Sequence, residues 1–398
     1  MQPQRALILA CSPSFDDRRL KRGLTLDALC GCAAPPRLVS FLLETNMALE
    51  ARCSTTAMAI MPHTDAEEAL QLALSLDIPF WPQLPRLSFY EDMYVQASEH
   101  FPGIVVDLEK GTLVFDTERF YGELPDYSRR MGDAETFTLS RGYSAAYHEF
   151  LRRDLRGYPA VRGQVTGPIS LGFNVLDEAR KPIIYNDEVR VLLFDFIQQK
   201  VNVQYRQLKQ KNSNAFVWVD EPALNFVFSG LSGYNDLQAK QDYRGFLQGF
   251  EGPTALHLCP NVNLPYLLEL GVDILSFDAY QLEFMPREYA TAVAPFIAGG
   301  RVVSWGIVPT ESVALSQETP ETLAARLCDY WDTVSGVAGI EGRQIAEQSL
   351  VAPARCCVRD MEAAGGACGV TSAEESNVRK AFGFLKQIRV ILRERYGV

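Results

Sequence analysis

The sequence lacks any apolar run of the roughly 18 residues that a membrane-spanning helix needs, so no segment is expected to cross a bilayer. Positive charge is also in deficit, because 38 Lys and Arg stand against 49 Asp and Glu, for a net charge of -11. Binding to nucleic acid or to an anionic membrane surface is therefore not expected. A small molecule, or a neutral or cationic partner, fits this charge better.

The cysteines show no arrangement that would suggest a disulfide framework. They are nine, an odd number, and unevenly spaced, which is typical of free thiols in a reducing compartment. The apolar stretch at residues 6–11 is too short for an export signal, so we interpret it as mature chain. These features predict a cytoplasmic protein. The cysteines are Cys11, Cys30, Cys32, Cys53, Cys259, Cys328, Cys356, Cys357 and Cys368.

From about residue 55 onward, short apolar runs alternate with longer helical patterns, which is typical of an α/β protein with a parallel sheet. A chain of 398 residues can hold two domains or one large barrel. The strand–helix units favour a single (β/α)8 TIM barrel over residues 55–398. The predicted strands are Thr55–Met61, Ile78–Trp81, Ala160–Val165, Phe216–Val219, Thr254–Leu258, Ile274–Phe277, Val302–Gly306 and Ser349–Ala352.

Three other regions complete the predicted organisation. The widest gap lies between the second and third strands, and we expect a long insertion there, over the barrel mouth, with a hairpin near Lys110 and Gly111. Residues 1–54 are predicted to form an N-terminal extension that packs on the barrel or is partly mobile. At the C-terminal end, apolar residues at helical spacing predict a final helix with one buried stripe. These residues are Val378, Phe382, Leu385, Ile388 and Leu392.

The segment 256–260 places two potential metal ligands on one strand. Alternate residues of a strand point to the same side, so His257 and Cys259 share a face at the strand's carboxyl end. In a barrel this end is the mouth, where active sites lie. Imidazole and thiolate together suit Zn²⁺. A structural histidine beside a buried cysteine is the alternative interpretation of so short a motif.

Further donors follow neighbouring strands. Asp278 comes directly after one strand, and Cys356 and Cys357 follow the last. Their structural alternatives are a helix cap for the aspartate and inert packing for the cysteines. Asp220 and Glu221 follow another strand. Asp220 is suited to hold an ammonium group or to act as a base, and a helix cap is again the alternative.

Taken in order, these strand-end segments resemble the catalytic domain of cobalamin-independent methionine synthases and its relatives in the uroporphyrinogen decarboxylase-like barrel superfamily. The resemblance covers roughly residues 55–398 and implies a zinc-dependent methyltransferase that acts on a thiol. The motifs are Met61-Pro62-His63, Trp81-Pro82-Gln83-Leu84-Pro85, Thr166-Gly167-Pro168, Val219-Asp220-Glu221-Pro222-Ala223, His257-Leu258-Cys259, Asp273-Ile274-Leu275-Ser276-Phe277-Asp278 and Cys356-Cys357-Val358.

The resemblance implies a zinc ligand set. His257 and Cys259 are two of its members, and Asp278 stands where methionine synthases carry glutamate. The remaining ligand is a cysteine of the eighth strand, for which Cys356 best matches the family motif Cys-Gly-Leu and Cys357 is its neighbour. Cys368, followed by Gly and Val, matches the motif as well if residues 355–367 are an insertion.

The resemblance also implies how a substrate is held. The aspartate of the family's Asp-Glu-Pro-Ala motif binds the amino group of homocysteine, a role that falls to Asp220 in this sequence. Gln83, His63 and Gln164 are candidates for further substrate contacts at the rim, and a structural hydrogen bond is the alternative for each of them.

Two departures from the family pattern bear on the substrates. The serine that helps to hold the homocysteine carboxylate aligns with Ile60, and a second amino-acid-binding acid, expected in the helix at residues 92–96, is missing. A thiol in general is therefore expected as acceptor, with homocysteine as one example. The duplicated N-terminal half of folate-using methionine synthases is also lacking. This absence favours another methyl donor, such as a methylated corrinoid protein, and folate stays the alternative.

Two other functions compete with this one. The first is a metal-independent decarboxylase on the same barrel, which needs cationic residues for substrate carboxylates, with Arg86 and Arg162 as the candidates. The second is a non-catalytic protein that handles zinc or a corrinoid. Such a protein would keep the metal site and lose the acceptor pocket.

Overall fold

The computed structural model of the chain describes residues 49–228, 232–259, 263–357 and 368–398, and for residues 228 and 368–372 it describes the backbone alone. Most of the predicted N-terminal extension lies outside these ranges. No helix in the described ranges is long and apolar enough to cross a membrane.

The described residues form nine strands and fourteen α-helices. The strands are β1 (Ser54–Thr55), β2 (Ile104–Asp107), β3 (Thr112–Phe115), β4 (Val161–Thr166), β5 (Ala215–Asp220), β6 (Thr254–Leu258), β7 (Ile274–Asp278), β8 (Val302–Val308) and β9 (Ser349–Pro353). The helices are α1 (Ala66–Leu74), α2 (Met93–Ser98), α3 (Thr117–Arg130), α4 (Ala145–Arg152), α5 (Pro168–Asn174), α6 (Asp187–Lys209), α7 (Leu224–Phe228), α8 (Asp236–Gln248), α9 (Leu264–Leu268), α10 (Arg287–Ala298), α11 (Ser312–Gln317), α12 (Pro320–Ala338), α13 (Gly342–Glu347) and α14 (Cys368–Tyr396).

Seven strands form one parallel sheet in the order β1-β9-β8-β7-β6-β5-β4. An α/β fold with a parallel sheet is therefore confirmed, and six of the predicted strands coincide with β4 to β9. Of the predicted strand Thr55–Met61, only Thr55 lies in a regular strand. That strand is β1 (Ser54–Thr55), which pairs with β9.

The predicted second strand lies between the two edges of this sheet. The N–H of Ile78 donates to the carbonyl of Thr55 at 2.9 Å, and the N–H of Arg162 in β4 donates to the carbonyl of Pro79 at 3.1 Å. The sheet is therefore curled, as in a TIM-barrel-like fold. Two prolines, at 79 and 82, remove N–H donors from this segment, and it forms a single bridge to β4 instead of a ladder. The closed eight-stranded barrel stays a prediction.

The two faces of the sheet bury two separate apolar groups. Side chains of the outer group, such as Val217, Leu256 and Leu275, pack with the helices. The residues adjacent to them in sequence point the other way, and we call this second set the inward group. The inward group includes Met58, Ile78, Ala160, Phe216, Trp218, Ala255, Ile274, Val302, Leu350 and Ala352.

The hairpin and the final helix form where the sequence predicts them. β2 and β3 pair antiparallel, with Asp107 opposite Thr112, and Gly111 in the turn has a φ of 60°, which glycine adopts without steric cost. The position of this region over the mouth stays a prediction. In α14 the predicted stripe is buried, with every member at most 1% exposed: Val378, Phe382, Leu385, Ile388 and Leu392.

Gly306 in β8 leaves no space for a side chain. A Cβ there would lie 2.6 Å from the carbonyl oxygen of Phe277 and 3.0 Å from that of Pro353, which are backbone atoms of the two neighbouring strands. We expect Gly306→Ala to lower the free energy of unfolding by about 1–3 kcal/mol, because overpacking against backbone forces the strands to shift. Urea denaturation measures this change.

Gly336 provides a control of opposite sign. It is exposed in α12, and an added Cβ meets no atom within 4 Å. Gly336→Ala should raise the free energy of unfolding by about 0.5–1 kcal/mol, since alanine favours the helix. Equal effects of the two substitutions would contradict the packing described for β8.

Candidate functional site

Three neighbouring strands bring polar side chains to the carboxyl end of the sheet. Asp220 is the last residue of β5, His257 is in β6, and Ser276 and Asp278 are in β7. The register pairs Asp220 with His257 and His257 with Ser276. Each of these residues follows a member of the inward group by two or four positions in its strand, so they face the concave side together.

His257 and Cys259 contact each other, with Nε2 2.9 Å from Sγ. The other ring nitrogen, Nδ1, lies 3.0 Å from the Oγ of Ser276. The imidazole also stacks on Trp218, with 5.9 Å between the ring centroids. These contacts fix the plane of the ring. Burial lowers the pKa of His257 to about 3, so the ring is neutral at pH 7 and one nitrogen keeps a lone pair.

The thiol of Cys259 is kept protonated by its surroundings. Burial raises the pKa of Cys259, and Cys356, Asp220 and Asp278 act in the same direction. A hydrogen bond from the backbone N–H of Cys356 opposes this shift. Because the thiolate is the form that binds metals and attacks electrophiles, Cys259 needs an added positive charge to ionise near neutral pH.

Asp220 and Glu221 are adjacent but differ in how they are bound. The carboxylate of Asp220 is half-buried and accepts no hydrogen bond from the described residues. Burial raises the pKa of Asp220 to about 7, and Arg162 opposes this shift. Glu221 accepts hydrogen bonds from the N–H groups of Ile169 and Ser170, at 3.2 and 2.7 Å, and from the Ser170 hydroxyl at 2.6 Å. Glu221 therefore has a structural role at the start of α5, and Asp220 is the acid available to a ligand.

Asp278 lies at the end of β7 and has partners within the protein. Its Oδ2 accepts a hydrogen bond from the Nε of Arg355 at 2.7 Å, and its Oδ1 accepts one from the N–H of Gln281 at 3.0 Å. The side chain is 2% exposed. Burial raises the pKa of Asp278, and Arg355 opposes this shift. Sequence motifs give no sign of the Arg355 contact, since the two residues are 77 positions apart.

The two cysteines after β9 point in different directions. Cys356 is half-buried and packs against the inward group. Cys357 is buried in the outer group, and its N–H donates to the carbonyl of Ile60 at 3.2 Å. Of this pair, Cys356 is the one on the side of Cys259. The third candidate, Cys368, has a side chain outside the described residues.

The described residues do not form a complete metal site. In residues 49–228, 232–259, 263–357 and 373–398, no group of three or more His, Cys, Asp and Glu side chains is arranged to hold a metal ion. The 2.9 Å between the histidine nitrogen and the cysteine sulfur is a hydrogen-bond distance, whereas two such ligands of a tetrahedral zinc lie roughly 3.6 Å apart. The chemistry of the pair nevertheless fits zinc, because the ring is neutral and its second nitrogen is anchored.

Gln83 and Gln164 come together away from this pair. They line a cavity of about 20 Å³ with Gln96 and Lys200, which is room for about one water molecule. The Nε2 of Gln83 donates to Gln96 at 2.8 Å, and that of Gln164 donates to the carbonyl of Trp81 at 2.9 Å. No contact in the described part joins either glutamine to the histidine–cysteine pair. Substrate contacts by these two residues stay predictions.

His63 is buried without a partner. Its side chain is fully buried, and neither ring nitrogen has a hydrogen-bond partner in the described part of the chain. At least one ring nitrogen carries a proton, so this burial costs roughly 1–3 kcal/mol. Substrate contact by His63 stays a prediction.

Arg162 is a charged residue that the predicted zinc site does not include. It is fully buried on β4, and its guanidinium carbon lies 4.0 Å above the Trp218 ring and 4.7 Å above the Phe80 ring. Its Nε donates to the Oγ1 of Thr56 at 3.0 Å, while Nη2 has no partner among the described residues. Burial lowers its pKa to about 9. The sequence signal was available, since Arg162 is the one charged residue of β4, a strand that is buried throughout.

Comparisons with known proteins give likenesses of structure alone. No protein-family model matches the chain, and no curated protein matches it. A methyltransferase from Methanosarcina mazei has a similar structure, with a TM-score of 0.50 and 15% identity over 85% of this chain and 87% of that one. A B12-independent methionine synthase from Shewanella sp. W3-18-1, in complex with selenomethionine, gives a TM-score of 0.46 and 16% identity over 83% and 89%. At 15% identity, the similarity to the methyltransferase from Methanosarcina mazei indicates a common fold.

We expect His63 to make stability depend on pH. Burial lowers the pKa of His63 to about 4, and Arg379 acts in the same direction, whereas an unfolded histidine titrates near 6.5. As the pH falls from 7 to 5, the unfolded chain takes up a proton that the folded chain does not. The free energy of unfolding then falls by about 1–2 kcal/mol through this residue. In the His63→Gln variant this part of the fall should be missing from urea denaturation curves, and an unchanged fall would refute the assignment.

Proposed function

We propose that this chain is a zinc-dependent methyltransferase, which moves a methyl group from a methylated corrinoid or folate donor to a small-molecule thiol such as homocysteine. One observation carries the proposal. His257 and Cys259 face each other at the carboxyl end of β6, and Ser276 anchors the second ring nitrogen. A neutral imidazole beside a thiol, on the side of the sheet where barrel enzymes bind their substrates, is a pair of donors suited to zinc.

We assign His257 and Cys259 as the first two zinc ligands and Asp278 and Cys356 as the others. Cys356 supports this set because it packs against the inward group and acts electrostatically on Cys259. Asp278 supports it because a buried carboxylate is stable only beside positive charge. Arg355 supplies that charge in the structure, so ligation by Asp278 requires the carboxylate to share or leave this ion pair.

The chemistry explains why a metal is useful here. Bound zinc lowers the pKa of a coordinated thiol, whereas a free thiol with a pKa near 8.5 is only a few per cent ionised at pH 7. In the transfer, the acceptor sulfur forms the new bond to the methyl carbon with its own electron pair. The bond from the methyl group to the donor breaks, and its electron pair stays on the donor.

Asp220 positions the acceptor in this proposal. Its carboxylate has no described hydrogen-bond partner, and its backbone pairs with that of His257. The approach of an ammonium group favours the ionised carboxylate, whose pKa burial raises to about 7. An amino acid with a side-chain thiol is therefore held by its amino group, and its sulfur is directed toward the histidine–cysteine pair. His63, Gln83 and Gln164 remain the candidates for further substrate contacts.

Other features agree with this proposal without carrying it. The fold shared with the methyltransferase of Methanosarcina mazei is compatible with methyl transfer. A small thiol and a methylated corrinoid protein are the proposed partners, and the acidic net charge of -11 speaks against nucleic acid and anionic membranes. None of the five cysteines whose side chains are described forms a disulfide, as expected of a protein kept under reducing conditions.

A metal-independent decarboxylase is the alternative that one observation favours. Arg162 has a buried Nη2 without a described partner, which a substrate carboxylate would satisfy. Arg86, the other cation that such an enzyme would use, is paired with Glu374 at 2.5 Å. The decarboxylase would leave the histidine–cysteine pair unused, whereas a protein that only carries zinc or a corrinoid would keep the metal site without acting on a thiol. Metal analysis and methyl-transfer assays separate the three.

The first test is zinc content. We expect purified protein to retain zinc through dialysis against buffer, and Cys259→Ser to lose at least 90% of it (roughly a tenfold loss, as for weakened metal sites), measured by plasma mass spectrometry. Cys328→Ser is the matched control, because Cys328 is a free buried cysteine of α12. Equal zinc in Cys259→Ser and wild type would remove the proposed site, and absence of zinc from wild type would favour the decarboxylase.

The second test concerns Asp220 and uses two acceptors. With methylcobalamin as donor, Asp220→Asn should lower kcat/KM for homocysteine by roughly tenfold to a hundredfold, the value of a charged hydrogen bond. For 2-mercaptoethanol, which has no amino group, the change should be less than about threefold. Equal losses for both thiols would contradict an amino-binding role for Asp220.

A further inference from the structure

The hairpin formed by β2 and β3 has an open edge. β2 pairs with β3 alone among the described strands, and its four residues are all partly exposed. The N–H of Asp116 donates to the carbonyl of Gly103 at 2.8 Å, and the N–H of Phe115 points the other way, to the carbonyl of Leu176 at 3.0 Å. Antiparallel strands alternate in this respect. The N–H and C=O groups of Val106 and the C=O of Ile104 therefore face away from β3.

A cleft lies along this open edge. Its volume is about 500 Å³, within the usual range of ligand sites. Residues of β2, together with Phe101 and Pro102, line it. Helix α3 also lines it, with residues spaced three or four apart on one helical face. These residues are Arg119, Glu123, Asp126, Tyr127 and Arg130.

Most of the charged groups in the cleft are already paired. Glu123 accepts hydrogen bonds from the Nε of Arg119 at 2.6 Å and from the N–H of Gly103 at 2.9 Å. Asp126 accepts a hydrogen bond from Arg129. The guanidinium of Arg130 is exposed and makes no hydrogen bond or ion pair with the described residues. The unpaired charge of the cleft is therefore positive.

Tyr127 gives a second, independent sign of a ligand. The residue is 1% exposed, and its hydroxyl has no hydrogen-bond partner in the described part of the chain. A buried hydroxyl without a partner costs roughly 1–3 kcal/mol. Tyr127 precedes Arg130 by one helical turn in α3, so the two residues lie on the same helical face, and both line the cleft.

We propose that this cleft binds an extended peptide that carries a carboxylate. The peptide backbone pairs with the free edge of β2 at Ile104 and Val106, and its carboxylate accepts hydrogen bonds from Arg130 and Tyr127. Addition of a strand to an open sheet edge is a known mode of peptide recognition, in which the main chain provides affinity. The positive charge of Arg130 selects the acidic group. The site is separate from the proposed zinc site and does not depend on it.

A peptide library tests the proposal. The full chain is incubated with synthetic random hexapeptides that have free C-terminal carboxylates, and bound peptides are recovered by size exclusion and identified by mass spectrometry. Affinities of the selected peptides are then measured by fluorescence anisotropy. We expect Arg130→Gln to weaken binding by roughly tenfold to a hundredfold, and Tyr127→Phe by about twofold to tenfold. Tyr127→Phe should leave the Tm unchanged or raise it, since it removes an unpaired buried hydroxyl.

Two further variants make the result specific. Val106→Pro removes the outward N–H without breaking the hairpin ladder and should abolish binding. Arg129→Gln, one residue from Arg130 and paired with Asp126, should bind as wild type does. If Val106→Pro fails to fold, the exposed Arg130 and Arg129 variants still decide the question. Failure to select any peptide, equal binding by all variants, or a dimer that Val106→Pro dissociates would each overturn the proposal.

Discussion

Parallel pairing from β4 to β9 is the constraint on which the candidate site depends. The strands run in one direction, so their carboxyl ends meet at one edge, and the register places Asp220, His257 and Ser276 in one row. A shift of β6 by one residue would turn His257 outward. The register is held by the outer group, where Val219 and Leu256 are fully buried. Apolar packing on one face thus determines which polar residues meet on the other.

The surroundings of Arg162 on the concave side explain how its buried charge is stabilised. Arg162 has no acidic hydrogen-bond partner among the described residues, and a buried cation without compensation is costly. Stacking on Trp218 and Phe80 offsets part of this cost. Asp220 provides long-range compensation, as each residue shifts the other's pKa in favour of charge. Trp218 contacts both the guanidinium of Arg162 and the imidazole of His257. The arginine is therefore part of the support of the site.

The sequence predicted those features of the site that depend on local alternation. His257 and Cys259 are two apart in one segment, so their common direction follows from strand geometry alone. The choice between Cys356 and Cys357 could not be predicted, because adjacent residues point to opposite faces and the end of the strand decides which is inward. The predicted second strand does not form a regular ladder. This was predictable in part, because two of the five residues 78–82 are proline. Arg355, the partner of Asp278, lies in a loop without a periodic sequence pattern, so this ion pair could not be predicted.

Among the described residues, acidic groups outnumber cations around Cys259, and the ion pair of Asp278 with Arg355 offsets part of this excess. Asp220, Asp278 and the thiols of Cys259 and Cys356 are four acidic groups in a largely buried region. Burial raises the pKa of Cys259, and the other three groups raise it further. They cannot all ionise without positive charge nearby. Arg355 stabilises Asp278 and Arg162 acts on Asp220. These two cations favour the ionised carboxylates, but the thiol of Cys259 stays protonated. A divalent ion would favour ionisation of all its ligands at once. The electrostatic conflict that keeps Cys259 protonated in the protein alone is therefore what the proposed zinc site would relieve.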